Sequence, residues 1–438
     1  MLAGSRENEL EAPRAEAVGL RPFRAGLVFG VFNGFTWMIG LGTPMVLFAE
    51  ALGANAFQIG LVTSFVYLVL PVQVLATASL ATLGYRRQMV MGWWLRALFL
   101  LVPLSLALAS PERPAPWMVN AFVASVLGFC VLRAFGTAAH MPWMAAILPV
   151  AVRGRFFATD QALTAGIGVG TLLVCATLFE RYPGWSAFAL VYGLALVGGI
   201  VAVVSLMQLP DAPPPQPIAL RTLPRAALRL YVEPGVFRYY LGLVLIGWSA
   251  SAAISAFTVY YLRVEAGLPE GRILSYTAIQ FAGSIAATWS LRAAIDRVPL
   301  RRLFQLSMAA FLGVELFWLF EVEAGGALRA WVPIAFFGLG VAGGVSNASH
   351  TTLLPDLSSV EERPVAISVF QSTLGVAAGL APILWGLVLK EPGPHPGLHV
   401  DRFAGFFAFG AAAHALLFVL YRGLPDRRGV AVQRAETV

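Results

Sequence analysis

Apolar residues fill long stretches separated by short polar breaks from Leu27 to Leu420, and twelve of these stretches approach or reach the length of a bilayer crossing. They run from Ala25 to Phe48, Phe57 to Leu80, Met89 to Ala109, Met118 to His140, Phe157 to Phe179 and Trp185 to Met207. The second six run from Tyr239 to Leu262, Ile273 to Ala294, Leu303 to Phe320, Trp331 to Ser349, Val365 to Leu389 and Phe403 to Leu420. Barrel strands would give short alternating segments instead of unbroken runs. Backbone in lipid must satisfy its own hydrogen bonds, so the runs predict helices. The punctuation repeats: Phe23-Arg24 opens one run that Glu50-Ala51-Leu52-Gly53 closes, and Phe237-Arg238 opens another that Glu265-Ala266-Gly267-Leu268 closes. Leu148-Pro149, Arg153 and Gln161 are echoed by Leu354-Pro355, Arg363 and Gln371, at an offset of about 210 residues, which predicts a duplicated multi-helix unit.

Composition narrows the class. The 438 residues are 58% hydrophobic and 12% charged, with mean hydropathy +0.75, whereas charged residues make up roughly a quarter of a soluble domain. The chain reads as an all-α integral membrane protein. With both ends placed in the cytoplasm, 21 of the 30 Lys and Arg residues fall on the inner side, 7 on the outer, and Arg96 and Arg133 lie within spans. That alternation supports twelve helices and assigns the +7 net charge to topology and anionic lipid, not to nucleic acid. The polar opening, with Glu7, Glu9, Glu11 and Glu16, has no signal-peptide core. Cys130 and Cys175 lie within spans and imply neither disulfide nor metal.

Residues 211–217, rich in proline, and the Arg-bearing stretch to Arg229 read as a stiff spacer followed by an amphipathic segment on the cytoplasmic leaflet. The expected layout is a tail over 1–22, a six-helix bundle over 23–209, a linker over 210–236, a second bundle over 237–421 and a tail over 422–438. Six plus six helices, parallel repeats and a basic central loop resemble the major facilitator superfamily across nearly the whole chain, with no subfamily identified. Its loop motif after the eighth helix survives in part as Asp296-Arg297-Val298-Pro299-Leu300-Arg301-Arg302. The copy after the second helix keeps Arg86-Arg87 and lacks the acid, and Arg133-Ala134-Phe135-Gly136 resembles the fourth-helix motif. The resemblance implies two pseudo-symmetric bundles around a midplane cavity and a cytoplasmic gate built from Arg86, Arg87, Asp296, Arg297, Arg301 and Arg302. For the basic pairs, a purely topological role stands beside the gate role. Neither a Gly-Pro drug-antiporter pair in the fifth helix nor a sugar-porter linker signature is present.

Ionisable residues inside a membrane usually face a cavity or a partner. Arg133, mid-span with no acid a turn away, is the foremost site candidate, and Asp160 in the fifth span is its nearest potential counter-charge. Arg96, two turns into the third span, reads as snorkelling to the cytoplasmic surface. Glu315 is a coupling candidate for which snorkelling is an equal explanation, and His414 reads as a neutral packing histidine. Asn33 and Trp37 share a helix face, Trp248, Ser251, Ser255 and Thr258 form a polar stripe, and Gln73, Gln161, Gln280, Asn347 and Gln371 add amides. Asn33, Trp37, Arg133, Gln161, Trp248, Gln280, Asn347 and Gln371 are therefore the expected solute contacts, with Arg133, Asp160 and Glu315 as coupling candidates. Each amide has helix packing as its alternative role. Gly166, Gly168, Gly170, Gly338, Gly340, Gly343 and Gly344 read as packing glycines.

His395 and His399 sit in a Pro-Gly-rich loop where no helix would bring them together, and no enzyme, zinc or phosphate-loop motif occurs, so neither catalysis nor a cofactor is expected. The sequence reads as a monomeric secondary transporter of a small polar solute in a bacterial inner membrane, with proton coupling and uniport both open. An efflux pump for amphipaths and a non-transporting receptor remain the rival readings.

Overall fold

The computed structural model describes residues 20–182, 184–214, 223–291, 298–357, 363–390 and 402–424, and every described element is a helix. Eleven helices are long and apolar enough to cross a membrane: Arg21–Ala51, Ala56–Gln73, Tyr85–Leu108, Pro116–Ile147, Thr159–Arg181, Trp185–Met207, Val236–Val264, Leu300–Glu323, Arg329–Leu353, Ala366–Leu389 and Arg402–Gly423. Between the seventh and ninth spans lies the eighth, Glu270–Leu291, whose 22 residues are diluted by Thr277, Gln280, Ser284 and Thr288. It packs against the tenth and fifth spans, so protein covers much of its polar surface. Residues Asp296, Arg297, His395 and His399 lie outside the described residues.

Several spans are jointed where the sequence requires it. The first stops at Leu41 and restarts at Thr43-Pro44, because Gly42 is extended (φ −98°, ψ −157°) and Pro44 supplies no amide donor. A Cβ on Gly42 would fall onto the Met38 carbonyl, so the joint needs glycine. Pro71 and Pro103 remove the donors that would continue the second and third helices past Val69 and Leu100. The repeated landmarks at the ends of the first and seventh spans are helix caps. Gly53 (φ +85°) and Gly267 (φ +64°) adopt the left-handed conformation, and the following amides, Ala54 and Leu268, bond back to the Ala49 and Leu262 carbonyls at 2.9 Å each.

Within the first six spans, the first packs on the fifth and sixth and the third on the fourth; within the second six, the seventh packs on the eleventh and the ninth on the tenth and twelfth. The two most extensive contacts between the halves, second to eleventh and fifth to eighth, map onto each other under a shift of six helices, and the first span adds smaller contacts to the seventh and eighth. These are backbone-close crossings. A Cβ on Gly60 would overlap the Pro382 carbonyl, and one on Gly386 would stand 2.6 Å from the Ala56 carbonyl. Helix Leu223–Val232 in the linker docks on the eleventh span through the Tyr231 hydroxyl, 2.8 Å from Thr373 Oγ1.

The glycines divide by role. A Cβ on Gly340 would fall onto the Gln280 carbonyl and one on Gly344 would lie 2.8 Å from the Ser284 carbonyl, so these two let the eighth and tenth spans meet. Gly166, Gly170 and Gly343 face open space, which corrects their reading as packing glycines. Backbone cannot yield as a rotamer does, so Gly340→Val is expected to cost about 3 kcal/mol and to lower the thermal unfolding midpoint of the purified protein. Gly343→Ala should leave the midpoint unchanged.

Candidate functional site

Two cavities lie one in each half, and the first, third and fourth spans that line one correspond to the seventh, ninth and tenth that line the other. The first, of about 270 Å³, is bounded by Asn33, Gly34 and Trp37 of the first span, Trp93 of the third, Arg133, Thr137 and His140 of the fourth and Thr164 of the fifth. Asn33 and Trp37 are one turn apart and so present together. The Arg133 guanidinium lies 4.2 Å from the centroid of the Trp37 ring, a geometry in which the indole face supplies electron density to the cation. Asn33 Oδ1 is saturated, accepting from Arg96 Nη2 at 2.7 Å and Trp93 Nε1 at 3.2 Å.

Arg96 does not snorkel. It is only 2% exposed and is sandwiched 4.3 Å from the Trp93 ring and 4.9 Å from Phe129. Nor does Arg133 pair with Asp160: Asp160 Oδ1 occupies the space a Cβ on Gly30 would take, one turn away along the first span from Asn33. Among the described residues, neither Arg96 nor Arg133 has a carboxylate partner. Two cations thus share the interior of one half, held by an amide and aromatic faces. A buried cation without a counter-ion is costly, and an incoming anion would relieve that cost.

The second cavity, of about 180 Å³, is uncharged in its lining except for histidines. Trp248, Ser251 and Ser255 of the seventh span, Gln280 of the eighth, Ser346, Asn347 and His350 of the tenth and His414 of the twelfth border it. Ser255 donates to Gln280 Oε1 at 3.4 Å, and the Tyr240 hydroxyl stands 2.7 Å from His350 Nδ1. Thr258, the last member of the polar stripe, is buried away from the cavity. The Tyr67 ring of the second span reaches Trp248 across the boundary between halves, with 6.3 Å between centroids. Gln161 and Gln371 are exposed and line neither cavity.

At the end where the first and seventh spans finish, the halves are tied by charge. Arg263 Nε donates to Glu50 Oε2 across the divide at 3.0 Å; within the second half its Nη2 lies 2.6 Å from Glu270 Oε1, and Arg402 Nη2 lies 2.5 Å from Glu265 Oε1. Deeper, Thr43 Oγ1 donates to Thr277 Oγ1 at 3.1 Å. Of the gate residues expected from the family motif, the four that are described sit at the opposite end. There Arg86 donates to the Met207 carbonyl, Arg87 and Arg302 are exposed and Arg301 is partly exposed. Sequence reading missed the Glu50–Arg263 tie although Glu50 and Glu265 both stand in its repeated landmarks; a search for cations near those acids would have found it. Glu315, expected near a surface, is fully buried and paired with His414 at 2.8 Å.

No protein-family model matches the chain and no curated relative does. Solved structures do. A point mutant of the nucleoside transporter NupG superposes with a TM-score of 0.69 at 13% identity, over 92% of this chain and 99% of that one. The inward open conformation of the xylose transporter XylE from E. coli gives 0.66 at 12% identity, over 94% and 98%. A POT family transporter in complex with a thioalcohol conjugated peptide gives 0.67 at 11% identity, over 91% and 95%. With twelve helices in two related bundles, the chain has the major facilitator fold.

Proposed function

We propose, with that fold as the premise, that the chain carries a small polar solute bearing an anionic group across the membrane by alternating access. The observation that carries this is Arg133, stacked on Trp37 in a cavity and lacking any described carboxylate partner. A carboxylate or phosphate there would receive a charge-assisted, forked hydrogen bond. Amides, hydroxyls and an indole in the facing half, Gln280, Asn347, Ser251 and Trp248, suit the uncharged remainder of a hydrophilic solute. The named loads of the structural neighbours, nucleosides, xylose and a peptide conjugate, are likewise polar. The basic loops would put both termini in the cytoplasm of a bacterial inner-membrane protein acting as a monomer, and the two bundles would meet across the linker over 210–236. The end tied by Glu50 and Arg263 would then be the closed outer side.

Ligand binding to the folded state raises stability by mass action. The test is the thermal stability of the full-length protein against organic anions, nucleosides, sugars, amino acids and amphipathic drugs, followed by flux of the best ligand into proteoliposomes. A selective shift with organic anions and net flux is the expected result. A shift with amphipaths alone would replace this reading by efflux, and binding without flux would replace it by a receptor.

A further inference from the structure

Behind the second cavity the ninth and twelfth spans bury an acid against a base. Glu315 and His414 are both 0% exposed, and His414 Nδ1 lies 2.8 Å from Glu315 Oε2 and 3.0 Å from the Gly410 carbonyl. Both neighbours accept, so Nδ1 carries the hydrogen and donates it. Glu315 Oε1 and His414 Nε2 are buried with no hydrogen-bond partner. The imidazole stacks on Phe311, with 4.7 Å between centroids and a 15° tilt, and the same ring borders the cavity. Gly410 is required here, since a Cβ on it would occupy the position of Glu315 Oε1. Space has been cleared for a carboxylate deep among apolar helices, where an acid has no packing value.

Proton counting gives the pair its use. With Nδ1–H donated to a carboxylate, the pair carries one negative charge, and a lone buried charge is unfavourable. Among the described residues no Arg or Lys pairs with Glu315. From the ninth span comes Glu321, answered by Arg329 at 3.6 Å; from the tenth, His350, bound to Tyr240; from the twelfth, Tyr421; and the seventh lines the cavity there with Leu243, Val244 and Gly247. One proton taken up at Nε2 forms a single N–H bond, changes no oxidation state and brings the pair to zero charge.

We propose that Glu315 and His414 together form an exchangeable proton site, reached from the second cavity through His414 Nε2, and that its proton accompanies the solute. The coupling part rests on the transport reading above. An anion on Arg133 offsets one of the two buried cations of the first half, and a proton on the pair cancels the single negative charge of the second. Either ligand taken alone leaves the other half charged, so the two bind and cross together. On this proposal His414, which packs the ninth and twelfth spans together, also carries the proton.

The test is charge displacement on a pH jump, recorded from full-length protein in proteoliposomes on a solid-supported membrane with no solute present. Wild type should give a transient current on acidification, and Glu315→Gln and His414→Asn should lose it while keeping the wild-type unfolding midpoint. An undiminished current in a folded Glu315→Gln protein would overturn the site. Should both variants fail to fold, infrared difference spectra across the same pH range compare wild type with the milder His414→Gln. An imidazole band that titrates in wild type and is missing from the variant supports the site, and identical difference spectra overturn it. Solute flux without any displaced charge sinks the proton site and leaves the carrier reading standing; displaced charge without solute flux does the reverse.

Discussion

Arg133→Ala is expected to abolish solute-dependent stabilisation and to reduce solute flux roughly a hundredfold, because removing one member of a buried charge pair costs about 3 kcal/mol. The loss should fall on binding and transport, not on folding. Arg133 has no described carboxylate to leave stranded, and its guanidinium touches the Trp37 face. Deleting an uncompensated buried cation relieves a desolvation cost, so the unfolding midpoint without solute should hold or rise. Arg133→Lys keeps the charge but loses the planar fork and much of the stacking, and should recover only part of the flux. Thermal shift and proteoliposome flux measured on the same preparations check all three expectations. Wild-type binding and flux in Arg133→Ala would remove Arg133 from the site.

Gly60→Leu is expected to stop the halves from closing at the end where the first and seventh spans finish. A side chain at Gly60 would occupy the Pro382 carbonyl, and the partner wall at Gly386, Ala56 and Phe57 is equally tight, so neither helix can give way locally. The overlap should penalise the closed arrangement by about 2 kcal/mol, shifting the equilibrium toward opening roughly thirtyfold. Thr43, buried in contact with Thr277 between the halves, provides the probe. Thr43→Cys should react slowly with a membrane-impermeant maleimide in the parent background and about thirtyfold faster beside Gly60→Leu. Cys130 and Cys175 are buried and add little background. Equal labelling rates would show that this crossing does not govern closure.

The twelve spans were legible because apolar run length is set by the bilayer and each loop carries its own charge record. Even the polar eighth helix was recoverable, since its neighbours fix the alternation. Glu50-Ala51-Leu52-Gly53 and its echo were visible as a repeat, and the structure gives the reason: left-handed glycines capping equivalent helices. Side-chain destinations were less legible. Arg96 lies at a depth from which snorkelling is feasible, and only the fold brings Asn33, Trp93 and Phe129 around it. Glu315 and His414 are 99 positions apart, and nothing local to either reports the other. Pairing Arg133 with Asp160 presupposed that the fourth and fifth spans pack; the fourth instead lies on the third and the fifth on the first and eighth, so one side chain meets Trp37 and the other Gly30.

Arg263 is shared between two carboxylates that belong to different halves, Glu50 across the divide and Glu270 on its own side. Parting the halves therefore never bares the guanidinium; it keeps Glu270 and surrenders only Glu50, which water must then hydrate. All three side chains are partly exposed, at 27%, 22% and 20%, within reach of dissolved ions whose screening length is about 8 Å at physiological ionic strength. Dilute surroundings tighten this clasp and brine slackens it, while the arginines farther inside are shielded from both. On the carrier reading proposed above, the medium would set how readily the halves part, independently of how firmly a solute is held.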